Sequence, residues 1–600
     1  MCGIAGVFCI DEARPSSQIV RGMVEQLRHR GPDAAGVAVD GPAALGHARL
    51  SIIDLAHGSQ PMHNRDHSLT LTFNGEIFNY VELRETLQRL GHTFQTQSDT
   101  EVILHAYEQY GQECVEHFNG QWAFAIWDAR RRELFLSRDR LGIRPLFYTQ
   151  TGATLLFASE IKALLTHKDV SRAIDPQGLN QLFTFWSTLP PRTVFRGIRE
   201  LPPGHNLCVE ASQIRTWRYW DLEYAPENHA KTDDEWAEQL LELLEDSTRL
   251  RLRSDVPVGA YLSGGLDSSV TTALAQQYTS NHLRTFSVTF GDAEFDESQY
   301  QRQVVDFLNT DHQAVHCDGD TIAQVFPDVI RHTEKPVLRT APAPLYVLSR
   351  LVHNEGFKVV LTGEGSDEML GGYDIFKEAK VRRFCAAQPD SAFRSRLFER
   401  LYPYMPNLQA QSLAYRKAFF RVRPEELGDP FFSHLPRWEL TSRLGRFFSR
   451  DVRAELEEDD PYADLRAMLP ADYSEWPPLC QAQFLETAVL MPGYILSSQG
   501  DRMAMAHSVE GRFPFLDHRI AELAARMPPR IKMKGLNEKY ILKRATRHLV
   551  PPEVLQRTKQ PYRSPDAASF FDVDSQSARA DYVDELLSPA RIRDDGVFHG

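Results

Sequence analysis

The sequence predicts a two-part α/β protein: a strand-rich N-terminal third, followed by a larger part built on a parallel sheet with added helices. Three observations carry this reading. Val256 to Leu262 is an apolar, strand-like run that passes through Ser263-Gly264-Gly265-Leu266-Asp267-Ser268-Ser269 into Val270 to Tyr278, which can continue as a helix. Strand-like Thr285 to Phe290 comes after that helix and Lys358 to Thr362 adds a third strand, which gives a β-α-β unit with a parallel crossover. In the first third, Leu69, Leu71 and Phe73 alternate toward one face, and Leu45 to Ile53 also reads as a strand.

A chain of 600 residues is long enough for roughly two to four domains, each with a substantial core. Its net charge of -14 argues against a general nucleic-acid or anionic-membrane surface and favours small-molecule partners. Seven cysteines, an odd number with no Cys-x-x-Cys pair, suit a reducing cytoplasm and argue against structural zinc. The apolar start from Ile4 to Ile10 lacks a basic flank and meets Asp11 and Glu12, so no signal peptide is expected; no run approaches transmembrane length. The expectation is a soluble, cytoplasmic protein.

At the N-terminus, Cys2 precedes the short strand Gly3 to Phe8. If Met1 is removed, Cys2 carries an α-amine of pKa roughly 7.7–8.0, and one residue then supplies both nucleophile and base. The ordinary alternative is a small buried residue. A helix with Ile19, Met23 and Leu27 follows, opened by Ser16 or Ser17. Arg49 offers a guanidinium fork for a substrate carboxylate, although a lone arginine is more often a surface residue. Asn74-Gly75 reads first as a hairpin turn, and alternatively as an oxyanion hole made of the Asn74 amide and the Gly75 N–H. Ser98 and Glu101 fit a capping box, while Asp99 either complements the helix dipole or receives an ammonium group.

Together these parts are what glutamine hydrolysis needs. Met1-Cys2-Gly3-Ile4-Ala5-Gly6, His29-Arg30-Gly31-Pro32-Asp33, Arg49-Leu50-Ser51-Ile52-Ile53-Asp54, Asn74-Gly75-Glu76 and Ser98-Asp99-Thr100-Glu101 resemble the N-terminal-nucleophile glutaminase domain of class II amidotransferases. The resemblance implies an αββα sandwich over residues 1–205, completed by strands from Gln121 to Glu160. It also implies glutamine held by Arg49, Ile52, Ile53, Asn74, Gly75, Glu76 and Asp99, and a γ-glutamyl thioester on Cys2 that water resolves to glutamate and ammonia.

From Ala163 to Lys231 long periodicity lapses and prolines accumulate, which reads as an ordered connection; a strong helix then runs from about Asp234 to Arg253. The Ser263–Ser269 loop, at a strand-to-helix handover, is a pyrophosphate cradle by its glycines, its serine hydroxyls and the helix dipole, or else a capped turn. Asp267, a carboxylate placed among phosphates, reads as a magnesium ligand, joined by Asp367 of Gly363-Glu364-Gly365-Ser366-Asp367-Glu368. Glu364 is left for positioning or proton transfer. Asp501-Arg502 and Val509 to Asp517 lie in helix-rich sequence as ordinary ion-pair partners, and Lys539 is either an exposed helix lysine or a counter-charge for leaving pyrophosphate.

Ser263 to Ser269, Gly363 to Glu368, Phe513 to Asp517 and Glu538-Lys539 resemble the ATP-pyrophosphatase domain of asparagine synthetases, over residues 206–600 with a helical insertion at about 371–480. The resemblance implies Mg-ATP adenylation of a carboxylate, with ammonia displacing AMP through an internal passage. Leu262, Ser263, Gly264, Gly265, Asp267, Ser268, Ser269, Val288, Gly363 and Glu364 would bind ATP, Cys2, Asn74, Gly75, Glu364 and Lys539 would be catalytic, and the partners are glutamine, ATP and aspartate or another carboxylate acceptor. A homodimer is one arrangement open to such a chain. Two runs depart from the family pattern. Lys559 to Pro565 replaces a usual Ser-Asp-Gly, and Phe295-Asp296-Glu297-Ser298 differs from the commonest form, which leaves a carrier-bound, sugar-linked or peptide carboxylate as an alternative acceptor. A silent nucleotide-sensing regulator is a third alternative, opposed by the presence of Cys2, Asp267, Glu364 and Lys539 together. The end at Gly600 shows no clear helix cap, as an end cut short would.

Overall fold

A computed structural model describes residues 2–210, 213–224, 231–279, 282–572 and 577–598. Met1, whose removal the reading of Cys2 requires, and residues 599–600 at the chain end lie outside the described residues.

The N-terminal part is a four-layer αββα sandwich. One antiparallel sheet has the order Ile198–Glu200, Phe147–Thr151, Thr154–Ala158, Gly3–Cys9, Ala43–Arg49, Ala34–Asp40. The other runs Gln213–Arg218, His205–Glu210, Glu133–Arg138, Gly120–Asp128, Leu69–Ile77, Met62–His63. Successive side chains of a strand point to opposite faces. Ile4, Leu45 and Phe157 therefore meet Ala125, Leu136 and Leu207 between the sheets. Their neighbours pack outward, against Val20 and Met23 of the Ser17–Glu25 helix on one side and Val102, Ile103 and Ala106 of the Asp99–Tyr110 helix on the other. With both faces covered, all seven residues of Gly3–Cys9 are buried.

The C-terminal part is organised on a parallel sheet of order Asp311–His316, Arg284–Thr289, Val258–Tyr261, Val359–Leu361, Glu510–Arg512. The two acidic loops leave the C-terminal ends of the adjacent Val258–Tyr261 and Val359–Leu361 strands, where parallel sheets bind their ligands. Among the described residues no helix is long and apolar enough to cross a membrane.

Several expectations are corrected. The first sandwich does not stop at residue 205: His205–Glu210 and Gln213–Arg218 extend its second sheet by pairing with each other and, through His205–Glu210, with Glu133–Arg138. The expected 163–231 connection accordingly contributes its described strands up to Arg218 to the sandwich, and it carries the Pro176–Phe185 helix. Glu510–Arg512, expected in a helical region, is the last strand of the parallel sheet and pairs with Val359–Leu361. The capping box is not formed. Ser98 does accept from the Thr100 N–H, but the Glu101 carboxylate turns to the N–H groups of Gln95 and Thr96, each at 2.7 Å.

Candidate active sites

Cys2 sits at the mouth of the central Gly3–Cys9 strand, with its Sγ accepting from the Leu50 N–H at 3.5 Å and its own N–H donating to Asn74 Oδ1 at 3.0 Å. Asn74 and Gly75 are not a hairpin turn; they lie inside the continuous Leu69–Ile77 strand, held there by its pairing with Gly120–Asp128. Asn74 Oδ1 is taken by Cys2, and its buried Nδ2 has no partner among the described residues, a donor left beside the thiol-bearing residue. Gly75 allows close passage of the next strand, because a Cβ there would stand 2.1 Å from the Gln121 carbonyl oxygen. Burial pushes the Cys2 thiol up from its ordinary value.

Arg49 closes the Ala43–Arg49 strand and is buried. Its guanidinium donates to the carbonyls of Asp54 at 2.7 Å and Leu55 at 3.2 Å, so it shapes the 50–55 loop from within. Ile52 and Ile53 of that loop pack against Val359 and Met505 of the other half. Asp99, the first residue of its helix, accepts from the Ile77 N–H at 3.0 Å, and burial raises its carboxyl to about 6. Glu76 faces Arg512 of the parallel sheet at 3.2 Å; burial, with Asp99 nearby, holds its carboxyl well above the ordinary range.

The thiol site is thus built on the domain interface. Arg30 donates to the Cys2 carbonyl at 3.0 Å, to Glu160 at 2.8 Å and to both oxygens of Asp501 at 2.8 and 3.1 Å, and Arg144 reaches the same Asp501 at 3.2 Å. Arg502 in turn pairs with Glu160 and Glu334, both at 3.1 Å. Asp501 and Arg502 are buried ion-pair residues, and their pairs with Arg30, Arg144 and Glu160 cross from one half to the other.

In the second site the Ser263–Ser269 loop joins its strand to the Leu266–Gln277 helix. Gly264 has φ +76, and a Cβ would stand 2.6 Å from the Gln301 nitrogen. The hydroxyls of Ser268 and Ser269 are spent on the Gly265 carbonyl at 3.2 and 2.7 Å, and Ser268 Oγ also accepts from the Ser263 N–H at 3.1 Å. They brace the loop, so the donors left for a ligand are mainly backbone. Leu262 and Val288 are buried, their carbonyls bonded by Ser287 and Gln301. Gly363 brings the second loop against the first: a Cβ there would be 2.8 Å from both the Asp267 Cβ and the Ser268 nitrogen. Glu364 is bonded by Thr362 and raised by burial.

Asp267 and Asp367 converge on Lys539, whose Nζ lies 2.6 Å from both Asp267 oxygens and from Asp367 Oδ1. Lys539 is buried, with φ +49 at the start of the Tyr540–Ala545 helix. A second ammonium, Lys559, lies 2.6 Å from Asp367 and 3.4 Å from Asp267. Burial alone would raise Asp267, but the two lysines outweigh it and hold its carboxyl near 2. Lys559 was not among the expected site residues; it stands in the run that departs from the family pattern, in a loop without periodicity to mark it. Glu297, from the other departing run, is clasped by Arg557.

Both loops, Lys539 and Lys559 line one cavity of about 810 Å³. Its far wall comes from the helical insertion, including Tyr404, Met405, Tyr415, Phe419 and Leu440. A separate cavity of about 30 Å³ is lined by Arg144, Asp501 and Gly511 toward the Cys2 site and by Thr362 and Glu364 toward the acidic loops.

Comparison with known proteins places this arrangement. Residues 239–600 match the family described as asparagine synthase, and residues 1–220 match the glutamine amidotransferase domain. The chain is 32% identical over its whole length to "Asparagine synthetase [glutamine-hydrolyzing] 3" of Bacillus subtilis, covering 91% of that protein. It is also 32% identical to "Amidase chyE" of Penicillium rubens, over 94% of this chain and 89% of that one. The chain therefore belongs to the asparagine synthase family, with a glutamine amidotransferase domain at its N-terminal end.

Proposed function

We propose that the protein transfers the amide nitrogen of glutamine to an ATP-activated carboxylate, and that the acceptor is the side-chain carboxylate of aspartate. One observation supports the coupling: a small cavity is lined both by Asp501, whose partner Arg30 holds the Cys2 carbonyl, and by Thr362 and Glu364 of the second site. Ammonia released to bulk water would be protonated and lost as a nucleophile, so the chemistry calls for an enclosed path between the sites.

In this reading the Cys2 thiol adds to the glutamine amide, using its own α-amine as base once Met1 is removed. The Asn74 amide and the Gly75 N–H stabilise the oxyanion, and Arg49 and Asp99 hold the substrate carboxylate and ammonium. Ammonia leaves, and water hydrolyses the thioester to glutamate. In the second site the acceptor carboxylate attacks the α-phosphorus of ATP, giving acyl-AMP and pyrophosphate. Ammonia then adds to the acyl carbon and AMP departs, with Glu364 placed to take the surplus proton. Asp267 and Asp367, hard oxygen donors that converge on the Lys539 ammonium, would hold the magnesium ion that accompanies ATP, which would neutralise phosphate charge there. Lys539 and Lys559 would supply positive charge to the leaving pyrophosphate. A cytoplasmic setting suits this chemistry and its thiol, and a homodimer is compatible with it.

A second reading keeps both half-reactions and enlarges the acceptor. The aromatic wall of Tyr404, Tyr415 and Phe419 favours it, as do the lysine-bearing run at 559–565 and relatives named as amidases. The deciding experiment screens candidate acids for glutamine-dependent pyrophosphate release and identifies the amide by mass. Aspartate giving asparagine supports the first reading; silence with aspartate and turnover of a larger acid selects the second. Cys2→Ala should abolish glutamine-dependent synthesis while synthesis from added ammonia persists, and loss of both in a folded protein would contradict the two-site division.

A further inference from the structure

Outside both sites, on the surface of the sandwich, His92, His105 and Glu108 bring three ligand atoms together. His92 Nδ1 lies 3.2 Å from His105 Nδ1, His105 Nδ1 lies 2.8 Å from Glu108 Oε2, and His92 Nδ1 lies 3.4 Å from the same oxygen. His105 and Glu108 are three residues apart on the Asp99–Tyr110 helix and so share a face, while His92 comes from the loop after the Tyr80–Arg89 helix. Among the described residues it is the one such His/Cys/Asp/Glu cluster.

We propose that these three side chains form a binding site for a divalent metal ion of the zinc type, with its fourth position open to water. Zinc bonds to histidine nitrogen and carboxylate oxygen at about 2.0–2.2 Å, and in a tetrahedron this places ligand atoms about 3.3 Å apart. The triangle has sides close to that edge. Hydrogen bonding accounts for it less well. With a proton on His105 Nδ1 bonding Glu108 and one on His92 Nε2 bonding Gln109, His92 Nδ1 and Glu108 Oε2 turn lone pairs toward each other at 3.4 Å; a cation satisfies all three ligand atoms.

The surrounding contacts are those that orient metal ligands. His92 Nε2 lies 3.1 Å from Gln109 Oε1, and His105 Nε2 lies 3.6 Å from the Glu101 carboxylate. Asn64 Nδ2 donates to the free oxygen of Glu108 at 2.9 Å, and the Phe94 ring stands edge-on to His105 at 4.5 Å. The set contains no cysteine, so a count of cysteine spacings passes over it.

The site would tie the loop at 91–98 to the helix that begins at Asp99. Glu101 holds Gln95 and Thr96, and the Gln97 N–H donates to Asp54 at 2.8 Å, next to the carbonyls that Arg49 grips. A bound ion therefore stiffens one wall of the thiol site. That consequence for glutamine rests on the proposed function; metal binding itself does not.

The test titrates the metal-free full-length protein with Co²⁺ and with Zn²⁺, following the visible absorption of four-coordinate cobalt and the bound zinc by elemental analysis. The expected result is one tight equivalent, weakened at least about 100-fold in His92→Ala and in Glu108→Gln, and about 10- to 100-fold in Gln109→Ala, which removes only an outer partner. Hydrogen exchange over residues 91–98 should slow with zinc in the parent protein alone. Equal binding by the parent and a His92→Ala/Glu108→Gln double variant that retains the metal-free melting profile would overturn the site, as would no binding by the parent.

Discussion

Arg30 and Asp501 meet across the two halves of the chain in a two-bond fork of 2.8 and 3.1 Å, while the same guanidinium holds the Cys2 carbonyl. The residue bearing the thiol is thus positioned by a charge pair whose acid belongs to the other half. Breaking a buried pair leaves a charge uncompensated and costs about 3–5 kcal/mol. Asp501→Asn is expected to cost about that much, because Arg30 and Arg144 both lose their shared partner. Removing the exposed Arg196–Glu455 pair should cost at most about 1 kcal/mol. Thermal melting of both variants checks this, and the ratio of glutamate formed to amide formed should rise in the first. Equal melting points would refute the account.

Asp99 gives a pH dependence with a defined sign. Burial raises its carboxyl to about 6, so it is charged above that pH and neutral below it. If Asp99 receives the glutamine ammonium as proposed, its neutral carboxyl would no longer attract it. The KM for glutamine is expected to rise up to about tenfold per pH unit as pH falls below 6, with synthesis from ammonia lacking that inflection. Asp99→Asn should show a high KM with the inflection removed. A flat KM between pH 5 and 7 in the parent protein would exclude the role.

Lys559 and Lys539 together balance Asp267 and Asp367. Removing one preorganised donor that stabilises developing negative charge costs about 10²–10³ in rate. Lys559→Met is expected to lower pyrophosphate release by that order, with glutamine hydrolysis little changed. Steady-state assays of the two half-reactions on one preparation measure both, and an equal fall in both would point to general unfolding.

Gly372 marks how closely the second site is packed. A Cβ at this position would stand 1.9 Å from Asp367 Oδ1 and 2.2 Å from Lys539 Cε. Gly372→Ala should therefore separate that pair and abolish ATP-dependent turnover. Gly356 has nothing within 4 Å, but its φ of +80 makes it a backbone control only. Retained pyrophosphate release in Gly372→Ala would show that the loop gives way.

Local chemistry accounts for part of this fold. A glycine-rich run between an apolar strand and a helix has few other conformations, so the Ser263–Ser269 loop, the Asp267 position and the helix at Asp99 were legible from neighbouring residues. Cys2, Asn74 and Arg49 were identified as candidates by type and order, but side-chain chemistry alone could not separate a hairpin at Asn74-Gly75 from a strand. Long-range pairing settles it, through the register that sets Gly75 opposite Trp122. It also made Glu510–Arg512 a strand, because three residues too few to carry a periodic pattern gain their hydrogen bonds from Val359–Leu361, about 150 positions earlier. Lys559 reaches Asp267 across 292 residues for the same reason: the burial of two carboxylates, and not any local preference, fixes where its ammonium must lie.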